Sequence, residues 1–326
     1  MKNKVLYFPY INVPNSSWFT RMLLYWDEVG VIVPYDFIQS PEKLDEYTRS
    51  MVLEGMIKQV IPMQHIYNIP YFREAFLSHL NALDKRVLIK RQVAFAGGHR
   101  SKIHIEKMDR LELDMRDMKL AEEGEYPWWF VEVDTAGEFM AYLAATLGKL
   151  DELQYDPVSD NIEHLERFMR VEGVNPSPRP PISNLRIQIL QNVFPSPRVP
   201  LRADQVSRFK EKHGNRLKAF RLRVEKEIID ISNVRDENLR MQRLELFREQ
   251  TQDSIAEIIE VLREGGFKDN TVSKLASIVS SIPGVSFVVG LANAVHDAFK
   301  TEDLSAIDPS FLYAAYAQRE ILGQSG

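Results

Sequence analysis

Two short segments carry ionisable residues at a spacing that could support chemistry. His104 and Glu106 lie two residues apart with Lys107 beside them, and Glu132 and Asp134 repeat that spacing further along the chain. On a β-strand, residues two apart project from the same face. If the two segments pair, these groups converge, and such a set could bind a metal or act in general acid–base catalysis. We take all five as candidate catalytic residues, with solvent-facing strand residues as the alternative, and assign no metal site.

A second candidate site follows from where the predicted strands end. In an open parallel sheet, ligands bind outside the carboxyl ends of the strands. Three short apolar strands in the first third of the chain each run into a polar and aromatic stretch. Gathered on one edge, these side chains would line a ligand pocket, and ordinary loop residues are the alternative. The candidate ligand-binding residues are Tyr10, Asn12, Tyr35, Asp36, Gln64 and His65.

The motifs of common catalytic and cofactor sites are absent from the sequence. The glycine-rich stretch at residues 97–101 lacks the spacing of a P-loop or of a dinucleotide-binding motif, and no Gly-x-Ser-x-Gly occurs. The chain has no cysteine, which excludes disulfides, zinc–thiolate sites, iron–sulfur clusters and cysteine nucleophiles. No cofactor is assigned, and whether the protein is an enzyme stays open.

The first half of the chain alternates strand and helix patterns, which predicts an α/β (or α+β) domain with mostly parallel short strands. Apolar runs that stop at Pro9, Pro34 and Pro62 predict three buried strands. Between them, apolar residues spaced by three and four predict helices, so the order favours right-handed βαβ units. The other predicted elements are helices at 16–26, 40–52, 71–83, 111–121 and 138–150, and strands at 87–90, 102–106 and 128–133.

A proline-rich run marks a predicted boundary in the chain. Residues 175–181 contain four prolines, which favour extended backbone. Residues 185–189 alternate apolar and polar side chains and predict a strand. We therefore divide the chain into an α/β domain at 1–174, a proline-rich linker and strand at 175–200, and a mainly α-helical domain at 201–326.

Two long charged helices are predicted in the helical domain. Apolar residues recur at helical spacing from Asp204 to Ile231, and a second pattern from Asp236 to Glu264 stops at a pair of glycines. The imperfect heptads favour an intramolecular antiparallel hairpin over a dimeric coiled coil. We expect this domain to bind a protein partner or to self-associate. The apolar residues of the first helix are Val206, Phe209, Leu217, Phe220, Val224, Ile228 and Ile231.

Residues 275–295 form an uncharged segment long enough to span a membrane. Pro283-Gly284, Gly290 and several serines favour a buried helical pair instead, so membrane association is the less favoured interpretation. The formal net charge of −5 argues against broad nucleic-acid binding. The first ten residues have the pattern of a strand and lack the apolar stretch of a signal peptide, so we expect a cytoplasmic protein.

Several segments resemble, in order, the signatures of a bacterial protein family of unknown function. Residues 6–11, 24–27 and 31–34 are similar to its amino-terminal signature, and Ile103-His104 with Lys107 is similar to its Ile/Val-His-x-x-Lys element. The resemblance implies a bacterial origin and a shared architecture but brings no activity, cofactor or catalytic residue. It adds weight to His104 and Lys107. The other similar segments are 139–144, 194–197, Phe209, His213 and 220–221.

These patterns leave three functions open. The leading hypothesis is a non-enzymatic interaction or regulatory component of a bacterial multi-protein system, by analogy with antiphage or stress systems. The first alternative is a hydrolase, or a nucleotide- or phosphate-processing enzyme, that uses the strand-end residues or the His104 segment. The second alternative is a membrane-acting effector that uses residues 275–295.

Overall fold

The computed structural model describes residues 3–161, 186, 189–190, 194, 201–264 and 308–322. The contacts between Cα atoms divide the chain into two compact units. The first unit contains Met1–Pro14 and Trp26–Ser177, and the second contains Asn15–Tyr25 and Pro178–Gly326. An α/β region with a parallel sheet of short strands comes first along the chain and a helical region follows, so the predicted fold class is confirmed.

The described part of the first unit alternates strands with helices. Its strands are β1 (Lys4–Tyr7), β2 (Glu28–Ile32), β3 (Ile57–Val60), β4 (Arg100–His104), β5 (Ala121–Glu123), β6 (Trp128–Glu132) and β7 (Asp156–Val158). In the second unit, α1 spans Ser17–Tyr25. The helices of the first unit are α2 (Tyr35–Gln39), α3 (Glu46–Leu53), α4 (Phe72–Asn81), α5 (Lys85–Ala96), α6 (Leu111–Asp117) and α7 (Val133–Gly148).

The main sheet of the first unit is parallel, with strand order β3-β2-β1-β7. Val5 pairs with Val29, and Val29 pairs with Ile57, so the three predicted strands lie side by side in register. Leu6 and Ile32 are completely buried, as expected where helices cover both faces of a sheet. These strands confirm the prediction from apolar runs that stop at proline. The three-residue strand β7 was not predicted, because it contains a proline and is too short to show a pattern.

A second sheet in the first unit is antiparallel, with strand order β4-β6-β5. Arg100 pairs with Glu132 and His104 pairs with Trp128, so the predicted strands near 102–106 and 128–133 do pair. The strand β4 ends at His104, two residues earlier than predicted, because Ile105–Lys107 forms a 3-10 turn.

Four sequence-based boundaries in the first unit are corrected by the structure. The strand predicted at 87–90 is wrong, because Asp84 caps a continuous helix, α5, that buries Arg91 and Phe95 on one face. The helix predicted from residue 40 begins later, since the Asp45 side chain accepts from the Thr48 amide. The helix α6 ends four residues early, and α7 begins five residues early.

The antiparallel helical hairpin predicted from Asp204 to Glu264 is confirmed. The helices α8 (Ala203–Ser232) and α9 (Glu237–Glu264) are joined by a short turn. Arg243 on α9 contacts both Glu227 and Asp230 near the end of α8, which fixes the antiparallel direction. All seven apolar residues predicted to line α8 are buried, so the helical period was read in the correct register.

The hairpin packs against two other described segments of its own unit. Tyr25 of α1 contacts the Phe220 ring edge-on at a centroid distance of 5.9 Å. The short helix α10 (Leu312–Tyr316) follows a 3-10 turn at Pro309–Phe311, and Tyr313 donates a 2.6 Å hydrogen bond to the Leu24 carbonyl. Aromatic packing and buried hydrogen bonds therefore join segments that are far apart in sequence.

Three sequence predictions fall on or beside residues that the structure leaves undescribed. The proline-rich run at 175–181 and the uncharged segment at 275–295 lie outside the described residues. In the stretch predicted as a strand at 185–189, the described residues Arg186 and Ile189 are helical, which contradicts that strand. Within the described part of the chain, no helix is both long enough and apolar enough to cross a membrane.

Candidate functional site

Two of the predicted strand-end positions meet the His104 segment in space. Tyr35 and Asp36 begin α2, directly after β2, and Gln64 closes the 3-10 turn that follows β3. That turn packs against the Ile105–Lys107 turn. The two candidate sites predicted separately therefore share one place at the carboxyl edge of the parallel sheet. We call this place the sheet-edge cluster, formed by Tyr35, Asp36, Lys43, His104, Glu106 and Lys107.

Short polar contacts hold the sheet-edge cluster together. The Tyr35 amide donates to Glu106 Oε2 at 2.5 Å, which ties the start of α2 to the turn after β4. Lys43 Nζ lies 2.7 Å from both carboxylate oxygens of Asp36. His104 Nε2 lies 3.8 Å from Asp36 Oδ2, which is too long for a hydrogen bond. The Glu106 carboxylate is thus held by the Tyr35 amide, and the Asp36 carboxylate lies near the His104 imidazole.

His104 is a buried, neutral imidazole with one nitrogen unsatisfied. Its side chain is 1% exposed, and its Nδ1 accepts a 3.3 Å hydrogen bond from the Glu106 amide. The proton of the neutral ring is therefore on Nε2, which has no hydrogen-bond partner. Burial and the charge of Lys107 lower the pKa of His104 to about 4. Phe37 and Trp128 contact the ring edge-on, at centroid distances of 6.2 and 5.2 Å.

Lys107 is the most unusual member of the sheet-edge cluster. The residue is 3% exposed. Within the described part of the chain, no carboxylate oxygen lies within ion-pair distance of its Nζ. The two carboxylates of the cluster have other partners, since Glu106 contacts the Tyr35 amide and Asp36 contacts Lys43. Burial alone lowers the pKa of Lys107 to about 7. A large fraction of this side chain is therefore an uncharged amine at neutral pH, the form of lysine that acts as a base or a nucleophile.

Glu132 and Asp134 do not join this site, which corrects the predicted convergence of four groups. The antiparallel register places Glu132 opposite Arg100, at the other end of β4 from His104. Four residues of strand correspond to about 13 Å. Glu132 instead caps α7, because its carboxylate accepts from the Asp134 and Thr135 amides at 3.0 and 2.8 Å. Asp134 lies in the first turn of that helix.

The other three strand-end candidates have contacts of their own. Asn12 Oδ1 accepts from the Asp45 amide at 3.1 Å, next to the start of α3. His65 Nδ1 lies 3.2 Å from Glu152 Oε1. The Tyr10 side chain is exposed beyond the end of β1. These contacts connect loops of the first unit and do not point to the sheet-edge cluster.

Three residues at the site were not predicted from the sequence. Lys43 had no signal beyond its place in a predicted helix, and Phe37 lies in a helix of five residues that was not expected. Trp128 was predicted only as part of a strand. The antiparallel pairing of residues 100–104 with 128–132 places Trp128 opposite His104. A correct prediction of this register would therefore have identified Trp128 as part of the site.

A separate buried ion pair lies near Glu132. Both Arg91 amino groups donate to the Glu138 carboxylate, at 2.8 and 2.7 Å, and His79 Nε2 lies 3.2 Å from the same carboxylate. Glu138 is 1% exposed and Arg91 is 7% exposed. The hydrogen bonds from His79 and Arg91 outweigh burial and lower the pKa of Glu138 to about 2. Within the described residues, no group of three or more histidine, aspartate or glutamate side chains is placed to hold a metal ion.

Lowering the pH is expected to destabilise the protein through His104. Because its folded pKa of about 4 lies below the ordinary value of 6.5, the unfolded chain takes up this proton first as the pH falls. The stability that depends on neutral His104 is complete above pH 6.5 and is lost as the pH falls toward 4. Between pH 8 and pH 5 this single group lowers the free energy of unfolding by about 2 kcal/mol.

Urea unfolding at pH 8 and pH 5 measures this effect when the wild type is compared with His104→Asn. The asparagine amide oxygen can still accept from the Glu106 amide, but the side chain does not titrate. We expect the variant to lose about 2 kcal/mol less than the wild type over this range. The control is His99→Asn, because His99 is exposed. Equal losses in the wild type and His104→Asn would show that His104 is not held neutral.

Comparisons of this chain with protein-family models, with curated proteins and with solved structures find no match. The resemblance to a bacterial family of unknown function therefore stays an expectation from the sequence. The candidate site stands on its geometry.

Proposed function

We propose that the first unit binds a small, uncharged, polar ligand at the sheet-edge cluster. The observation that carries this proposal is a buried polar atom without a hydrogen-bond partner, beside a buried lysine. His104 Nε2 has no hydrogen-bond partner, and Lys107 is buried without a neighbouring carboxylate. Unsatisfied buried polar groups cost about 1–3 kcal/mol each, so a fold keeps them where a ligand supplies the missing partner.

The position of the cluster supports a binding role. Tyr35, Asp36 and Gln64 follow the carboxyl ends of β2 and β3, which are neighbours in the parallel sheet. Ligands bind preferentially beyond this edge in open parallel sheets. The aromatic rings of Phe37 and Trp128 beside His104 add apolar surface next to the polar groups, a combination typical of small-molecule sites.

The charges of the cluster favour an uncharged ligand over a phosphate or a nucleotide. Asp36 and Glu106 contribute two carboxylates, while Lys43 is the cation that pairs with Asp36. His104 is neutral at pH 7, and Lys107 is only partly charged. The cluster therefore has no excess of positive charge with which to attract an anion. Of the enzymatic alternatives, phosphate chemistry is the less favoured one at this place.

Two-dimensional NMR of the isotope-labelled chain tests the proposal with acetamide and inorganic phosphate as probes. We expect acetamide to shift the amide signals of Tyr35, Asp36 and Lys107 in a saturable way, and phosphate to leave them in place. His104→Phe removes the Nε2 donor but keeps a ring, so it should weaken the acetamide response, and Lys90→Met on the exposed face of α5 should not. Phosphate as the stronger probe, or no saturable shift with acetamide, overturns the proposal.

A second candidate function, self-association, rests on exposed apolar residues of the hairpin. Leu239 and Leu246 lie seven residues apart on one stripe of α9, and both are more than half exposed. They line a groove of about 470 Å³ together with Arg243 and Phe247. A second copy with α9 antiparallel would bring Leu239 of one chain against Leu246 of the other about a two-fold axis.

Sedimentation velocity at micromolar concentration tests self-association. We expect the wild type to form dimers and Leu246→Glu to be a monomer, because a carboxylate would be buried in the contact. Leu53→Glu is the control, since Leu53 is exposed in the first unit and its replacement should leave the mass unchanged. A monomeric wild type would contradict this candidate function and would leave the ligand-binding proposal unaffected.

A further inference from the structure

We propose that α5 binds the surface of an anionic lipid bilayer and lies in the plane of that surface. The centre of its outward face is apolar and consists of Ile89 and Val93. Cations flank this centre, with Lys85 on one side and Arg86 and Lys90 on the other. None of these residues belongs to the sheet-edge cluster, so this is a separate activity from the ligand binding proposed above.

The packing of α5 fixes which of its faces points outward. Arg91 and Phe95 are the buried residues of this helix, so they mark the side that packs against the rest of the first unit. Successive helical residues are about 100° apart, which places Val93 directly opposite that side and Ile89 one turn earlier on the same stripe. Val93 is 67% exposed and Ile89 is 48% exposed. The outward stripe of α5 is therefore apolar.

Three exposed cations border this apolar stripe. By the same helical spacing, Lys85 lies on one side of the stripe, and Arg86 and Lys90 lie on the other. Within the described part of the chain, the ion pair of α5 is made by the buried Arg91, and none of the three exposed side chains forms one. The helix contains no acidic residue, and Asp84 before it accepts from the Arg86 amide as the helix cap. This face is therefore complementary in charge to an anionic surface.

Two features of α5 are unfavourable for a helix that serves only the fold. Lys85 and Arg86 lie in the first turn, where the helix dipole disfavours cations, and no acidic residue offsets them there. Ile89 and Val93 are β-branched, which lowers helix propensity, and they are exposed where a solvated helix carries polar side chains. A face that binds an anionic surface with an apolar layer beneath it explains both features.

An anionic bilayer fits this face better than a nucleic acid or a protein does. In a helix that lies in the membrane interface, the apolar stripe enters the boundary between headgroups and acyl chains, while flanking lysines and arginines extend to the headgroups. A nucleic acid would contact the cations through its phosphates and leave Ile89 and Val93 without apolar partners. Protein interfaces are typically anchored by aromatic side chains, but Phe95, the aromatic residue of α5, is buried. With 12 residues the helix is too short to span a bilayer.

Vesicle flotation with the full chain tests this proposal. One set of vesicles contains phosphatidylcholine alone, and the other contains equal amounts of phosphatidylcholine and phosphatidylglycerol. At about 50 mM salt we expect the bound fraction to be at least about fivefold higher on the mixed vesicles. It should fall severalfold at about 500 mM salt, because the headgroup charges are then screened. No binding to the mixed vesicles, or equal binding to both sets, overturns the proposal.

A reversal of charge on α5 tests whether this helix is the segment that binds. Arg86→Glu combined with Lys90→Glu should lower the bound fraction at least about fivefold. This variant is compatible with the fold, because both positions are exposed and the first turn of a helix favours a carboxylate. Lys218→Glu combined with Lys226→Glu is the matched control, since it makes the same change of charge at exposed positions of α8 and should leave binding unchanged. Binding that survives the reversal on α5 belongs to another segment and overturns the proposal.

A variant that keeps the charge tests the apolar stripe. Ile89→Ser combined with Val93→Ser should lower binding to the mixed vesicles at least about threefold, because the contact with the acyl boundary is lost. Unchanged binding would mean that charge alone is recognised, which overturns an in-plane helix. A DNA duplex at the same salt concentration is the competing probe, and tighter binding to DNA than to the mixed vesicles would assign this face to nucleic acid instead.

Discussion

Replacing Lys107 with methionine is expected to stabilise the protein by about 4 kcal/mol at pH 7. The folded pKa of Lys107 is about 7, while the ordinary value is 10.5, so the unfolded chain binds this proton far more tightly. This difference in pKa lowers the free energy of unfolding at neutral pH. Methionine has a similar length and no charge, and it suits a buried position. A substitution that removes a polar group should therefore raise the free energy of unfolding.

The pH dependence separates this cause from simple hydrophobic packing. The folded chain loses the Lys107 proton around pH 7 and the unfolded chain loses it only around pH 10.5, so wild-type stability rises with pH between these values. The advantage of Lys107→Met should shrink by about 2 kcal/mol between pH 7 and pH 9, as measured by urea unfolding. Lys90→Met, at an exposed position, is the control and should change stability by less than about 0.5 kcal/mol. A destabilised Lys107→Met would mean that the amine has a structural partner.

Replacing Glu138 with alanine is expected to destabilise the protein by about 3–5 kcal/mol. The change leaves the guanidinium of Arg91 buried without its carboxylate, and His79 loses the same acceptor. Glu138 also protects against acid, because its folded pKa of about 2 is below the ordinary 4.5. The stability from this carboxylate is complete above pH 4.5 and is lost as the pH falls toward 2. Urea unfolding at pH 7 measures the main effect.

Two comparisons make the Glu138 prediction specific. In the double variant Arg91→Met with Glu138→Leu, no charge is left unpaired, so much of the lost stability should return. Glu245→Gln breaks an exposed contact with Arg248 and should change stability by less than about 0.5 kcal/mol. If the double variant is no more stable than Glu138→Ala, the cost does not come from an unpaired Arg91 charge.

The parts of the fold that depend on local pattern could be predicted from the sequence. Apolar runs that stop at proline gave β1, β2 and β3, because a buried strand needs no more than a short run of β-branched residues. The α8 positions from Val206 to Ile231 were read correctly, since a long helix repeats its period many times. The strand predicted at residues 87–90 was wrong because three consecutive apolar residues fit a strand and a helix equally well.

The candidate site could be predicted only in parts. His104 with Lys107, and Tyr35 with Asp36, were singled out as parts of two candidate sites, but nothing local indicates that the two sites share one place. The contact that joins them, from the Tyr35 amide to Glu106, spans 71 residues of sequence. Glu132 was misjudged for a related reason, because the register that places it opposite Arg100 is a property of the folded sheet.

The central claim is that Lys107 is a buried lysine with a lowered pKa, so that its amine is partly uncharged at neutral pH. Its most direct test is an NMR titration that follows the Cε and Nζ signals of Lys107 between pH 5 and pH 11, assigned by their loss in Lys107→Met. We expect a midpoint near pH 7, well below the ordinary value of 10.5 for the pKa of lysine. A Lys107 midpoint near 10.5 would contradict this claim and would count against the proposed binding site.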